Sequence, residues 1–331
     1  MNLKQIGEFG LIDLLKKDTI VDPANVVEGI GDDAAVLLSS PRQLQLITTD
    51  MMVEDIHFTT KTTTPWQLGY KSVAVNISDI AAMGGVPRHA VVSIAIPQHI
   101  DIEFITGLYG GMKEICREYG VNIVGGDTVS SPGGLVINVA LLGEVEPSQL
   151  LKRSGAQSGD LVVVTGTLGN SGAGLELLTR GNWEEHEFAW PLVTAHLTPR
   201  PQVRAGRALG AAGASSADDV SDGLSSEVNE IASASKIGMR IYEDRIPLSP
   251  ELRQAAAHLN KPAVDFALYG GEDYQLLCTI NPQHYSDSLA SEAGMKLTVI
   301  GEVTPAEQGV VLIESDGRTR RLEPRGYNHF R

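Results

Sequence analysis

The chain has 331 residues, a net charge of −15 and two cysteines, with 42% hydrophobic and 20% charged residues. This composition is typical of a soluble globular protein, and the length favours two domains over one. The acidic balance argues against a nucleic-acid-binding surface, which needs clustered lysine and arginine. The N-terminus shows no signal-peptide pattern, and no apolar run reaches membrane-spanning length. We therefore expect a cytoplasmic protein without nucleic-acid or membrane partners.

The first half of the chain alternates between strand and helix patterns. Strands are predicted at 34–38, 44–49, 88–96, 121–124 and 135–142, and helices at 7–15, 66–83 and 102–119. Thr64-Pro65 and Asp101 are typical helix starts, while Gly84-Gly85 and Gly120 are typical helix ends. Cys116 lies in one of these helices and Cys278 in a later apolar run, so we expect both to be buried, reduced thiols. The alternation predicts one mixed sheet covered by helices.

A polar, turn-rich stretch at 147–160 suggests a boundary between a domain at 1–148 and a domain at 149–331. The second half then opens with a strand at 161–165 and a glycine-rich turn at 166–174 that leads into a helix. The glycine spacing fits neither GxGxxG nor a P-loop, so we predict a tight strand-to-helix turn and leave phosphate contact open. Helices are predicted at 199–209 and 224–235, and a strand at 275–280.

Four acidic clusters recur among small residues, at segment ends or on a helix face. They are Asp32-Asp33 with Thr48-Thr49-Asp50, Asn76 with Asp79, Gly125-Gly126-Asp127, and Asp218-Asp219 with Ser221-Asp222. Each cluster alone is more typical of a turn or a cap. Together they predict a site for Mg²⁺ or Ca²⁺, because hard oxygen ligands select these ions and converging carboxylates need cations. Magnesium in such sites usually accompanies substrate phosphates.

Few other side chains suggest a catalytic or binding role. His57 could serve as an acid, a base or a substrate contact, although a lone loop histidine is usually a surface residue. Arg153 could hold a phosphate, but a solvated linker charge is nearly as consistent with its position. His186 and His196 lie far from the acidic motifs in sequence, and we assign them no role.

Eight motifs distributed over the whole chain resemble those of the thiamine-monophosphate kinase family, within the aminoimidazole ribonucleotide synthetase-like superfamily. In chain order they are GIGDDAAV (29–36), TTDMMVEDIHF (48–58), NISDIAAMGG (76–85), GGDT (125–128), KRSGA (152–156), SADDVSDGL (216–224), GGEDYQLL (270–277) and GYNHF (326–330). The resemblance implies an α+β (mixed α/β) protein of two domains: an N-terminal sheet-plus-helices domain that binds ATP and Mg²⁺ and dimerises, and a C-terminal α/β domain that completes the active site. It implies a homodimer whose N-terminal strands form a shared barrel.

The implied activity is ATP- and Mg²⁺-dependent phosphorylation of thiamine monophosphate to thiamine diphosphate, the last step of thiamine diphosphate biosynthesis. Transfer would be direct and in-line, with several Mg²⁺ ions and ATP as co-substrate. The resemblance implies metal ligands at Asp33, Thr48, Thr49, Asp50, Asp79, Asp127, Asp219 and Asp222, of which Asp33, Asp50, Asp79, Asp127 and Asp219 would be catalytic. It implies ATP contacts at Tyr109, Gly126, Asp127, Arg153 and Ser221. It implies substrate contacts at His57, Glu272 and Tyr327.

Three positions depart from the family pattern. Asp55 stands where a glycine is expected, ADDV precedes Ser221 where Met-Asp-Ile is expected, and Tyr327 replaces a common tryptophan. Two other functions stay open. One is another ATP-dependent enzyme of the superfamily, such as a selenophosphate synthetase, although its reactive residue lies near the N-terminus whereas the first cysteine here is Cys116. The other is a non-catalytic protein that binds Ca²⁺, although no segment fits an EF-hand loop.

Overall fold

The computed structural model describes residues 14–28, 36–37, 40 and 42–326. The chain divides into two compact units, Met1–Ile80 with Val86–Glu146, and Ala81–Gly85 with Pro147–Arg331. Both units combine helices with mixed sheets, so the predicted α+β (mixed α/β) class with two domains is confirmed. The predicted helix at 7–15 lies almost entirely outside the described residues.

The first unit is built on a four-stranded sheet with the order β3-β6-β4-β5. Its elements are β1 (Val26–Glu28), β2 (Val36–Leu37), β3 (Leu44–Val53), α1 (Pro65–Ala82, whose last two residues belong to the second unit), β4 (Val86–Pro97), α2 (Ile102–Tyr119), β5 (Asn122–Ser131) and β6 (Val136–Val145). β6 pairs antiparallel with β3 and β4, and β4 pairs parallel with β5. The sheet is therefore mixed, as predicted. The small two-stranded sheet β1-β2 stands apart from it.

The ends of α1 and α2 are those that the sequence predicts. Thr64 Oγ1 accepts a hydrogen bond from Gln67 N, and the Gln67 side chain accepts one from Thr64 N. Asp101 accepts from Phe104 N, and Gly120 ends α2 in the left-handed conformation. These local signals set the helix ends, whereas the buried face of the sheet supplies core residues such as Val92 and Ile137, each at most 1% exposed.

The second unit has a seven-stranded sheet with the order β13-β12-β9-β11-β7-β10-β8. Its strands are β7 (Leu161–Thr165), β8 (Ser216–Asp219), β9 (Gly238–Tyr242), β10 (Leu276–Ile280), β11 (Leu297–Thr304), β12 (Val310–Ile313) and β13 (Thr319–Arg321). Its helices are α3 (Asn170–Arg180), α4 (Ala189–Leu197), α5 (Val203–Ala212), α6 (Leu224–Ser235), α7 (Pro250–Leu259), α8 (Ala263–Tyr269) and α9 (Asp287–Ala293). Buried apolar residues cover both faces of this sheet, which is why its central strands read as continuous apolar runs. Among the described residues, every helix is too short or too polar to span a bilayer.

Candidate active site

Two carboxylates meet in the first unit. Asp50 lies on β3 and Asp79 on α1, and the two carboxyl groups are close enough for Asp79 to act on the pKa of Asp50. Thr48, two residues before Asp50 on the same strand face, donates a hydrogen bond to Asp79. Burial raises the pKa of Asp50 to about 7, and the charge of Asp79 and the hydrogen bond to it add to the rise. The ligand atoms of this group are all oxygens, so they suit a hard divalent cation.

The position of this pair in the strand corrects one prediction. Residues 48–50 were expected at a strand end, but β3 continues to Val53 and stays paired with β6 throughout. Consecutive side chains of a strand point to opposite faces, so Thr48 and Asp50 cannot share a face with Thr49. Thr49 instead lies on the exposed face, where its hydroxyl contacts Asn138 Oδ1 at 3.1 Å. Its side chain therefore points away from the pair.

Asp127 is also separated from the pair. It was expected just after a strand, but β5 extends from Asn122 to Ser131 and contains it. The registers place Asp127 opposite Ser93, Ser93 opposite Asn138, and Asn138 opposite Met51, all on the exposed face. The single chain therefore does not bring the side chain of Asp127 to Asp50 and Asp79.

The two glycines before Asp127 lie within β5, and neither Gly125 nor Gly126 has a positive φ. A Cβ on Gly126 would overlap the carbonyl oxygen of Val92 on β4. Gly126 is therefore required by the close approach of two strands. This close approach also restrains the backbone beside Asp127.

His57 and Tyr109 lie in different surroundings. His57 is half-buried in the turn after β3, and its Nδ1 accepts a hydrogen bond from Val53 N at 3.0 Å. In the same turn Asp55 has φ +64°, which explains why a glycine suits its position and why aspartate is tolerated there. Tyr109 is 7% exposed on α2, and burial raises its pKa to about 12. It is the least accessible of the predicted ATP contacts.

In the second unit, two segments bring four predicted site residues together. Asp219 ends β8, and Ser221 and Asp222 form the turn before α6, as predicted. Glu272 lies in the turn before β10, and its N–H donates to the carbonyl oxygen of Ser221 at 2.7 Å. Tyr274 N donates to the carbonyl oxygen of Val220 at 2.9 Å. These main-chain bonds hold the two turns side by side.

Arg153 lies against acidic residues of the same unit. Its Nε is 2.8 Å from Asp218 Oδ2, and its Nη1 is 2.8 Å from Glu230 Oε2. Glu227 completes a group of three carboxylates with Asp218 and Glu230. Burial raises the pKa of Glu227 to about 9 and that of Asp218 to about 7. Glu227 also accepts a hydrogen bond from Asp222 N at 2.8 Å, so this group supports the backbone of a predicted metal ligand.

The chain's C-terminal tail docks on the start of α6. Gly326 N donates to Ser226 Oγ at 3.2 Å, and Asn229 Nδ2 donates to the carbonyl oxygen of Leu322 at 2.9 Å. A Cβ on Gly326 would overlap the carbonyl oxygen of Asp222. The predicted site residues Asp33 and Tyr327 lie outside the described residues.

Three residues without a predicted role surround Glu272. His196 Nδ1 is 3.2 Å from Glu272 Oε2 and 3.1 Å from Ser171 Oγ. Asp273 is buried, and its carboxylate accepts hydrogen bonds from the N–H groups of Gly169 and Ser171 at the start of α3. The predicted strand-to-helix turn is thus confirmed. His196 is far from Glu272 in sequence, so no local pattern could have linked the two. Asp273 is the direct neighbour of Glu272, so its place beside the site could have been predicted from the sequence.

Comparisons with known proteins agree with these motifs. The AIR synthase related protein N-terminal domain family matches residues 31–145, and the corresponding C-terminal domain family matches residues 157–314. The chain is 38% identical to the thiamine-monophosphate kinase of Bacillus subtilis (strain 168), over 98% of this chain and 100% of that protein.

Two solved structures share the fold over nearly the full length. A structure described as AaThiL complexed with AMPPCP and TMP has a TM-score of 0.80 and 35% identity, covering 100% of this chain and 99% of that one. Thiamine-monophosphate kinase from Stenotrophomonas maltophilia K279a has a TM-score of 0.84 and 33% identity, covering 94% and 97%. The protein described here therefore belongs to the thiamine-monophosphate kinase family of AIR synthase-related proteins.

Proposed function

We propose that the protein transfers the γ-phosphoryl group of ATP to the phosphate of thiamine monophosphate, giving thiamine diphosphate and ADP as the last step of thiamine diphosphate biosynthesis. The observation that carries this function is full-length similarity to thiamine-monophosphate kinases, one of them 38% identical. AMPPCP in the related complex is an analogue of ATP, and TMP is the abbreviation of thiamine monophosphate. Both reactants carry phosphates, so the chain must neutralise several negative charges.

The proposed metal ligands would do this by holding Mg²⁺. Thr48, Asp50 and Asp79 lie together in the first unit, and Asp219 and Asp222 are three residues apart between the end of β8 and the start of α6 in the second. We propose Asp33, Thr49 and Asp127 as further ligands. Bound Mg²⁺ would neutralise phosphate charge and orient the reacting groups. The raised pKa of Asp50 fits this role, because burial and then the charge of Asp79 disfavour its ionised form, which a bound cation would favour.

Other residues of the chain would bind the two substrates. Arg153 and Ser221 would contact ATP, together with Gly126, Asp127 and Tyr109. The Arg153 side chain is 53% exposed while its guanidinium is held by Asp218 and Glu230, so it can present charge to a phosphate without being free to move. Glu272, His57 and Tyr327 would contact thiamine monophosphate. A carboxylate and an aromatic ring suit its cationic thiazolium.

We propose direct in-line transfer without a phosphoenzyme. In-line transfer needs mainly positioning and charge neutralisation, which the acidic clusters supply. The thiols of Cys116 and Cys278 are buried, and burial raises the pKa of each to about 12, so neither is an activated nucleophile. Buried, unpaired thiols also suit a reducing compartment, and we propose a cytoplasmic enzyme.

An acceptor panel tests the proposed substrate. Purified protein is incubated with Mg-ATP and either thiamine monophosphate, thiamine or selenide, and ATP consumption and the nucleotide products are measured. We expect ATP consumption that depends on thiamine monophosphate and yields ADP. If only selenide supports ATP consumption, the protein is a different member of the superfamily.

We also propose that the enzyme is a homodimer built through its first unit. Ile47, Met51 and Val129 lie on one face of the four-stranded sheet and are 78%, 53% and 51% exposed. A second copy of the same face would cover these exposed apolar side chains in a shared barrel. Asp127 lies on this face too, so dimerisation would bring it towards the partner chain.

Ile47→Asp is expected to convert the dimer to a monomer, because it places a charge on the face that the second copy would cover. Sedimentation velocity at several concentrations checks this. The control is Leu175→Asp, which changes a leucine that is 46% exposed on α3 in the second unit. A dimer that survives Ile47→Asp with unchanged affinity would contradict the proposed interface.

Gly326→Ala is expected to raise the Michaelis constant for thiamine monophosphate more than that for ATP. The added methyl group would overlap Asp222 and Ser226, so the tail must leave its docking position just before Tyr327. Steady-state kinetics with each substrate varied in turn measures the effect. Ser226→Ala is a second variant with a smaller expected effect, since it removes only the hydrogen bond from Gly326 N. Equal effects on both constants would show that the tail does not act on the thiamine side.

A further inference from the structure

Glu272 is held in an unusual backbone conformation. Its φ is +65°, in the left-handed region that residues other than glycine rarely adopt, and Tyr274 two residues later has φ +49°. Such conformations persist only when the surroundings impose them. The hydrogen bond from Glu272 N to the carbonyl oxygen of Ser221 supplies one such constraint.

Asp273 supplies a second constraint. Its buried carboxylate accepts from Ser171 N at 3.0 Å and from Gly169 N. The N–H groups at the start of a helix are a natural anion site, and here an internal carboxylate fills it. The glycine-rich turn at 166–174 therefore anchors the neighbour of Glu272, and these N–H groups are not available to a phosphate.

His196 fixes the Glu272 side chain itself. It lies in the last turn of α4 with a side chain that is 7% exposed, and its Nδ1 is 3.2 Å from Glu272 Oε2. The second partner of the same nitrogen is Ser171 Oγ at 3.1 Å, and Ser171 is fully buried. A serine–histidine–acid relay needs the serine and the acid on different ring nitrogens, so this arrangement is not one. With its proton on Nδ1, His196 instead donates to an oxygen of Glu272.

We propose that His196 is a positioning residue that sets the orientation of Glu272 towards the cationic ring of the substrate. The inference rests on the proposed function, in which Glu272 contacts thiamine monophosphate. Because a carboxylate has two oxygens, His196 can hold one while the group still presents its negative charge to a thiazolium. Its 28% side-chain exposure leaves Glu272 accessible to a ligand, whereas His196 is too enclosed to be a contact. The effect of His196 is therefore expected on binding of the thiamine substrate and not on ATP.

Two amide substitutions separate this role from simple packing. Asparagine places an N–H donor near the position of Nδ1, whereas glutamine places one near the position of Nε2. His196→Gln is expected to raise the Michaelis constant for thiamine monophosphate about 10- to 100-fold, the effect of losing a hydrogen bond to a charged group. His196→Asn is expected to stay within about threefold of the wild type, because its donor can still reach Glu272. The Michaelis constant for ATP should change little in either variant.

The experiment combines kinetics with calorimetric titration of thiamine monophosphate in the presence of Mg-AMPPCP. Ser171→Ala is the matched control, since it removes the other partner of Nδ1 and leaves Glu272 in place. In Glu272→Gln, adding His196→Gln should cause little further loss. The positioning role is wrong if both His196 variants weaken the binding of thiamine monophosphate equally. It is also wrong if Glu272→Gln weakens this binding while neither His196 variant does. If the wild type neither binds nor phosphorylates thiamine monophosphate, the proposed function fails and this inference fails with it.

Discussion

Asp50→Asn is expected to lower Mg²⁺-dependent turnover by orders of magnitude while making the metal-free protein more stable. Asparagine keeps the shape of the side chain but cannot supply the charge that holds a divalent cation. The pKa of Asp50 in the folded protein is raised from 3.8 to about 7 by burial and by Asp79. The ionised Asp50 carboxylate therefore destabilises the folded state when no metal is bound. Asp50→Asn removes this destabilisation together with the metal site.

The sign of the pH dependence follows from this shift. A carboxyl group whose pKa is higher in the folded state contributes stability that is fully present below about pH 3.8 and is lost as the pH rises through about 7. One pKa unit corresponds to about 1.4 kcal/mol, so the loss is at most about 4 kcal/mol. Without metal, the stability advantage of Asp50→Asn over wild type should grow between pH 4 and pH 8. Thermal unfolding in EDTA across this range, repeated with Mg²⁺, measures both parts of the prediction.

The matched control is Asp55→Asn, in the turn that follows β3. Asp55 is exposed, is not a proposed ligand, and has a positive φ that asparagine also tolerates. It should change neither turnover nor the response to Mg²⁺. Near-normal turnover of folded Asp50→Asn would show that Asp50 does not hold the metal.

Gly126→Ala is expected to destabilise the first unit by about 1–3 kcal/mol or more, the typical cost of inserting a methyl group where neighbouring atoms leave no room. The added Cβ would overlap the Val92 carbonyl oxygen, and β4 pairs with β5 at this position. The strands must separate or shift, and Asp127 moves with them. Turnover should fall together with the free energy of unfolding measured in urea.

Gly133→Ala is the control in the same unit. A Cβ on Gly133 would meet nothing within 4 Å, so its effect on stability should stay within about 0.5 kcal/mol. Equal stability of the two variants would mean that β4 and β5 approach less closely at Gly126 than the structure shows.

Local chemistry explains what the sequence could predict. Thr64, Asp101 and Gly120 act within one helical turn, and the start of α1 and both ends of α2 follow from them. The start of α6 after Asp222-Gly223 and the turn before β10 are also local features. They place Ser221, Asp222 and Glu272 correctly in their elements, even though the contact between the two turns is long-range.

Sheet register explains what the sequence could not predict. Whether Thr48, Thr49 and Asp50 end a strand depends on how far β6 continues to pair with β3. Whether Asp127 shares a face with Asp50 depends on the registers of three strand pairs. The contact of His196 with Glu272 likewise depends on the packing of α4 beside α3. Motif spacing contains none of this information.

Transfer of a labelled γ-phosphate tests the proposed kinase reaction most directly. The protein is mixed with ATP labelled at the γ-phosphate, Mg²⁺ and thiamine monophosphate, and thiamine diphosphate and protein are analysed separately. We predict one labelled thiamine diphosphate for each ADP, no label on the protein, and loss of product when EDTA is added. ADP without labelled thiamine diphosphate, or label that first accumulates on the protein, would contradict the proposed kinase reaction or its direct mechanism, respectively.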